Sequence, residues 1–215
     1  CAFRQILRHS LSKRRRFNLR LEQMKIAFIN IYQGAVDRGA ETYVSEISKR
    51  LGKKFEVKVY ALAENPRKHW PFLWRAYLDP HGLQTLWSTL KLTPSLWKEK
   101  YDIVVPVNGG WQPALVRLIT WLYGGKMVIS GQSGIGWDDR NNLWCFPDCF
   151  IALTDYTKKW ASRVNPYVRV ENIPNGVDVN KFAGEKSSLK LNLERPIIIF
   201  IGNNSWHKSD HVINM

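Results

Sequence analysis

The residues able to hold an anion or position a hydroxyl fall in three short glycine-bearing loops: 32–39, 108–110 and 131–136. The first reads Tyr32-Gln33-Gly34-Ala35-Val36-Asp37-Arg38-Gly39 and leads into a helix-like stretch. Unpaired N–H groups at a helix start attract negative charge, and glycine lets a ligand come close to the backbone, so this loop suits phosphate. The same unit of strand, glycine loop and helix also begins many α/β proteins that bind nothing there, and both readings stand. Cys145 and Cys149 have a spacing close to that of metal ligands. With no second Cys/His pair nearby, they read as ordinary, partly buried cysteines, and no metal is expected. His69, His81 and His211 show no partner pattern and read as structural or surface residues.

A regular alternation of strands and helices must position these loops. Lys25 to Ile31 is a short apolar run rich in β-formers, the mark of a strand buried on both faces. Ala40, Val44, Ile47 and Leu51 recur at helical spacing, and Gly52 stands where a C-cap glycine belongs. Further strands are expected over 53–63, 101–107, 126–130, 149–153 and 167–173. Helices are expected over 112–123, apolar nearly all round and so packed between layers, and through 158–164. The stretch 64–100 carries Trp70, Trp74, Trp87 and Trp97 among lysines and arginines, and Pro66, Pro71, Pro80 and Pro94 predict several short pieces. Aromatics interleaved with cations mark a membrane interface or a nucleic-acid platform, whereas the plainer reading is helices packed on the sheet with solvated lysines. The alternation predicts an α/β, Rossmann-like parallel sheet with helices on both faces, and ligands in such sheets bind at the carboxyl ends of the strands. All three loops lie at such ends.

The net charge is +14 over 215 residues. Residues 1–23 hold seven Lys/Arg against Glu22 alone, and Met24 directly precedes the first strand, so they are expected to be a basic leader outside the fold. No apolar run is long enough to cross a bilayer. Three cysteines form no disulfide framework, which fits a reducing cytoplasm.

Two runs in the right order carry a resemblance. Ile173-Pro174-Asn175-Gly176-Val177-Asp178 is the more specific; taken alone, its Asn-Gly suggests a tight turn that can need positive φ. Together with Arg38-Gly39-Ala40-Glu41 near the start, it resembles the family 4 glycosyltransferases, and Pro196 to Lys208 is similar to the strand and loop that begin their second domain. The resemblance implies the GT-B fold, two Rossmann-like domains facing across a cleft. It implies an acceptor-side domain over 24–182, a linker over 183–195 and the start of the donor-binding domain over 196–215. It implies a retaining transfer of sugar from a nucleotide-diphosphate donor to a glycan or lipid-linked acceptor, as in cell-envelope polysaccharide synthesis, with no other cofactor. Donor contacts then fall to Gly34, Gly39, Gly202, Asn203 and Lys208. Asn108, Gln132, Ser133, Trp137 and Asp138 face the acceptor, and Asp138 either acts as a base or caps a following helix. The family's Gly-Arg and Lys-Gly are Gly202-Asn203 and Lys208-Ser209 here, and the loop after the fourth strand lacks its usual histidine. The family's paired glutamates belong to the donor domain, so residues 1–215 alone are expected to be inactive.

The expected location is cytoplasmic, with segment 64–100 touching the anionic inner face of the cytoplasmic membrane. Competing readings are a basic nucleic-acid-binding module, a non-catalytic remnant that binds an acceptor, and a dinucleotide oxidoreductase. No nucleic-acid motif appears, so no nucleic acid is expected as a partner. The first loop lacks Gly-x-Gly-x-x-Gly, which argues against the oxidoreductase.

Overall fold

The computed structural model describes residues 24–70 and 72–182. The basic leader, the linker and residues 196–215, with Gly202, Asn203 and Lys208, lie outside the described residues. By internal contacts the chain forms two compact units, residues 1–175 and 176–215.

The first unit is built on one six-stranded sheet. Its strands are β1 (Lys25–Ile29), β2 (Glu56–Tyr60), β3 (Ile103–Pro106), β4 (Lys126–Ser130), β5 (Cys149–Ala152) and β6 (Val170–Asn172). They lie in the order β2-β1-β3-β4-β5-β6, and every pair is parallel. The helices are α1 (Gly39–Leu51), α2 (Pro80–Glu99), α3 (Trp111–Tyr123), α4 (Trp137–Trp144) and α5 (Asp155–Val164). The second unit contributes one short described helix, α6 (Val179–Phe182).

Handedness distributes the helices. The chain steps from β1 to β2 in one direction, then returns past β1 and moves strand by strand in the other. Right-handed crossovers therefore put α1 on one face and α2 to α5 on the opposite face. The core agrees. Val44 of α1, with Ile47 and Leu51, packs on Ile26, Phe28 and Val105. On the other face Leu96, Val116, Leu143 and Ala161 pack on Ala27, Ile29, Val104, Met127 and Phe150. The expected cover on both faces is present but, among the described residues, uneven, one helix against four.

Several local expectations need correction. Residues 80–99 form a single twenty-residue helix rather than short pieces. Asp79 caps its start by accepting from the Gly82 N–H at 2.8 Å, and Pro80 sits where a missing N–H costs nothing. Pro94 is accommodated inside it on the exposed side, at the cost of one helical hydrogen bond. Helix α3 is not buried all round, since Leu118, Trp121 and Leu122 are exposed. Gly52 does close α1, but with right-handed φ of −61°, so a left-handed glycine is not needed there. Residues 173–178 form no turn or bend, and neither Asn175 nor Gly176 takes a positive φ, so the expected tight turn is absent.

Candidate functional site at the switch point

Chain order reverses between β1 and β3, and the crevice beyond their carboxyl ends is the natural ligand position in such a sheet. Polar side chains build its floor. Asn30, fully buried at the end of β1, donates from Nδ2 to Gln33 Oε1 at 3.1 Å and to Glu41 Oε1 at 3.5 Å. Its Oδ1 accepts from Asn108 Nδ2 at 3.3 Å. Asn108 Oδ1 accepts from the Ile31 N–H at 2.9 Å. Gln112, also fully buried, accepts from the Val107 and Asn108 N–H groups at 3.0 and 2.9 Å. This amide network stitches the loop after β1 to the loop after β3. Asn108 thus sits at the expected crevice with its side chain engaged in holding the two loops.

One rim of the crevice is the start of α1. Arg38 is its N-cap residue, in extended backbone and with no side-chain cap. A Cβ built on Gly39 meets no atom within 4 Å, so the helix start faces open space. Gly34, at φ +86°, lets the loop turn toward it. Arg38 grips the buried Glu41 carboxylate at 2.9 Å and lies over the Tyr32 ring at 5.3 Å. Burial alone would push the Glu41 carboxyl up, but the Arg38 guanidinium outweighs it and holds the carboxyl below its usual range.

The opposite rim gathers side chains the sequence did not single out. His69 Nδ1 is 2.7 Å from Asp79 Oδ2, and the His69 and His81 rings lie 4.2 Å apart. His81 Nε2 is 2.9 Å from the Tyr32 hydroxyl. The two histidines therefore have partners that no sequence pattern marked. Burial, then the neighbouring His69, holds the His81 imidazole below its ordinary value. Burial would raise the Asp79 carboxyl, but the Gly82 N–H and His69 outweigh it and hold it low. The signal for Asp79 was legible: Asp followed by Pro is a helix-start signature.

Asp138 lies in the first turn of α4, whose N-cap is Gly136, so it does not cap the helix. Its Oδ1 accepts from the Tyr77 hydroxyl at 2.8 Å, and that hydroxyl accepts from Asn141 Nδ2 at 2.9 Å. Trp137 Nε1 donates to the Arg75 carbonyl and Trp111 Nε1 to the Tyr77 carbonyl. The segment 74–77 thus straps the starts of α3 and α4 together. Asp138 is close enough to the crevice that a Cβ on Gly109 would lie 3.7 Å from its Oδ1. Gln132 exchanges hydrogen bonds with Asn175 at 3.2 and 3.4 Å, tying the loop after β4 to the end of β6. Ser133 is exposed beside it.

Asp139, next to Asp138 but pointing inward, is 1% exposed. Its Oδ1 accepts from Asn142 Nδ2 at 3.2 Å, while Oδ2 has no hydrogen-bond partner among the described residues. Burial, with the neighbouring Asp138 adding, pushes its carboxyl up to about 7; Asn142 and the Gly134 N–H oppose the rise only in part. No group of His, Cys, Asp and Glu among the described residues could hold a metal ion.

The sequence model of Glycosyltransferase Family 4 matches residues 38–181. The chain belongs to Glycosyltransferase Family 4. No curated protein sequence matches it. Among solved structures, this family member is similar to the S. aureus MnaA–UDP co-structure at 15% identity, with TM-score 0.50 over 77% of this chain and 49% of that one. A Listeria monocytogenes protein described as a UDP-N-acetylglucosamine 2-epimerase follows at 11% identity, TM-score 0.45, over 66% of this chain and 42% of that one. The family member thus spans about half the length of the solved structures it matches. Likeness at this identity speaks to the fold alone.

Proposed function

We propose that the full protein transfers a sugar, with retention, from a nucleotide-diphosphate donor to a glycan or lipid-linked acceptor, and that this chain supplies the acceptor side. The observation that supports the reading is the open, side-chain-uncapped start of α1 beside Arg38, at the switch-point crevice of a Family 4 domain. Backbone N–H groups at this helix start would meet a diphosphate oxygen, with the helix dipole adding to the attraction. Asn108, Gln132, Trp137 and Asp138 place the acceptor. The resemblance assigns further donor contacts to Gly202, Asn203 and Lys208 and a pair of glutamates to the donor domain beyond them; without those glutamates residues 1–215 alone should bind donor weakly and turn over slowly, because transition-state stabilisation needs every charged group in place. Cytoplasmic location and contact with the inner membrane face belong to the same proposal; no described helix is long and apolar enough to cross a membrane.

Uridine diphosphate, present in the MnaA–UDP co-structure, is the probe. Calorimetry should show weak, millimolar-scale binding to this chain. Gly39→Val should lower that affinity about tenfold, since the added side chain fills the approach to the helix start, where a Cβ meets no atom within 4 Å. Its melting temperature should stay that of the parent. Binding unaffected by Gly39→Val would move the donor away from α1.

A further inference from the structure

The outer face of α2 and α3 is apolar where a surface helix is ordinarily polar. In the first half of α2 the pattern is inverted. Thr85, Ser88 and Thr89 are buried, while Leu83, Trp87 and Leu90 are exposed. The buried threonines return their hydroxyls to their own helix, Thr85 to the His81 carbonyl and Thr89 to the Thr85 carbonyl, so none needs water. Trp87 is 64% exposed and Trp97 is 48% exposed. Residues 83, 87, 90 and 97 follow the seven-residue rhythm of one continuous stripe. Helix α3 packs beside α2 and adds Leu118, Trp121 and Leu122, with Trp121 75% exposed. An apolar patch of this extent is not left to water without a partner.

Charge identifies the partner. Lys91, Lys98 and Lys100 stand exposed along α2 and its end. The acids of the two helices and their flanks are engaged elsewhere. Glu64 holds Ser88 and Gln84, Asp79 is buried, Glu99 approaches Lys25 at 3.8 Å, and Asp102 receives the Lys25 N–H. Tryptophans and leucines rimmed by lysines, with no unengaged carboxylate among them, suit the boundary of an anionic bilayer. A second copy of the chain would bring lysine against lysine.

We infer that the α2–α3 face docks on anionic lipid, with Trp87, Trp97 and Trp121 entering the headgroup layer and Lys91 and Lys98 meeting lipid phosphates. Docking holds the α2–α3 side of the sheet against the bilayer, with the crevice at the end where α2 and α3 begin. A lipid-linked acceptor then reaches the crevice by moving in the membrane plane; that last step rests on the sugar-transfer reading, whereas the docking itself does not.

The test uses the chain with vesicles of phosphatidylcholine alone or mixed with phosphatidylglycerol. Sedimentation with the mixed vesicles, weakened by salt and accompanied by a blue shift of tryptophan emission, is expected. Trp87→Ser with Trp121→Ser should lower partitioning about tenfold, as should Lys91→Glu with Lys98→Glu. All four positions are exposed, so the variants should melt with the parent. Absence of binding, equal binding to both vesicle types, or a salt-stable dimer dissolved by the tryptophan substitutions would overturn the inference. Failure here leaves uridine diphosphate binding untouched, and failure of that titration leaves docking untouched.

Discussion

At the scale of single residues, the chemistry of the crevice depends on how each carboxyl is surrounded. Asp138 and Asp139 are neighbours with opposite fates, one hydrogen-bonded to Tyr77 at the rim and one enclosed with an unpartnered oxygen. A carboxyl at about 7 in the folded chain and near its ordinary value when unfolded keeps its proton longer in the folded state. That contribution to stability is complete in acid, below the unfolded value, and is lost as pH rises through 7; on this shift it amounts to roughly 4 kcal/mol at most. Asp139→Asn should therefore flatten the decline in urea stability between pH 5 and pH 8 and stabilise the chain at pH 8 by about 1–3 kcal/mol. An unchanged slope would mean that water reaches this carboxyl. The sequence showed an Asp-Asp pair after a glycine loop. Which of the two faced inward followed from α4 beginning at Trp137 after Gly136 as its N-cap, and no residue-type pattern marks that start.

At the scale of elements, the strands were the most legible part. All six expected strands are present, β4 over the whole of its expected run and the other five shorter than theirs, because those runs continue into buried residues outside the sheet ladder, as at Ile31 and Tyr101. Helix α2 was the least legible. Four prolines suggested fragments, yet Pro80 begins the helix and Pro94 lies where one lost bond can be tolerated. Its close contact with the strap explains Gly82. A Cβ there would meet the Tyr77 carbonyl oxygen at 2.2 Å, and that atom belongs to backbone. Gly82→Ala should displace the strap, release Tyr77 from Asp138 and Asn141, and cost about 1–3 kcal/mol in urea denaturation. Gly39→Ala, with nothing within 4 Å, should cost no stability. Equal stability of the two variants would show that segment 74–77 moves freely on α2.

At the scale of the whole molecule, the family was legible because its two signature runs are local, and local sequence survives without any knowledge of packing. The inside-out face of α2 was not legible, because Trp and Leu were taken as inward by type, whereas the partners α2 found at its core face were small hydroxyl residues of its own sequence. The uneven cover of the sheet also came from topology: one step from β1 to β2 and four steps the other way. That imbalance sets a clock for hydrogen exchange. Strands β1 and β3 have a neighbour on each side and helices over both faces, so their amides open only when most of the unit opens. Across β4 to β6 no helix among the described residues covers the α1 face, Ile151 stays partly exposed, and β6, three residues long, has one neighbour among the described strands. Amides of β6 and then β5 should exchange well before those of β1 and β3 when followed by mass spectrometry, and uniform exchange across the sheet would show that the bare face is covered in solution. In time rather than in space, the side of the sheet nearest Asn175 is the first to let go.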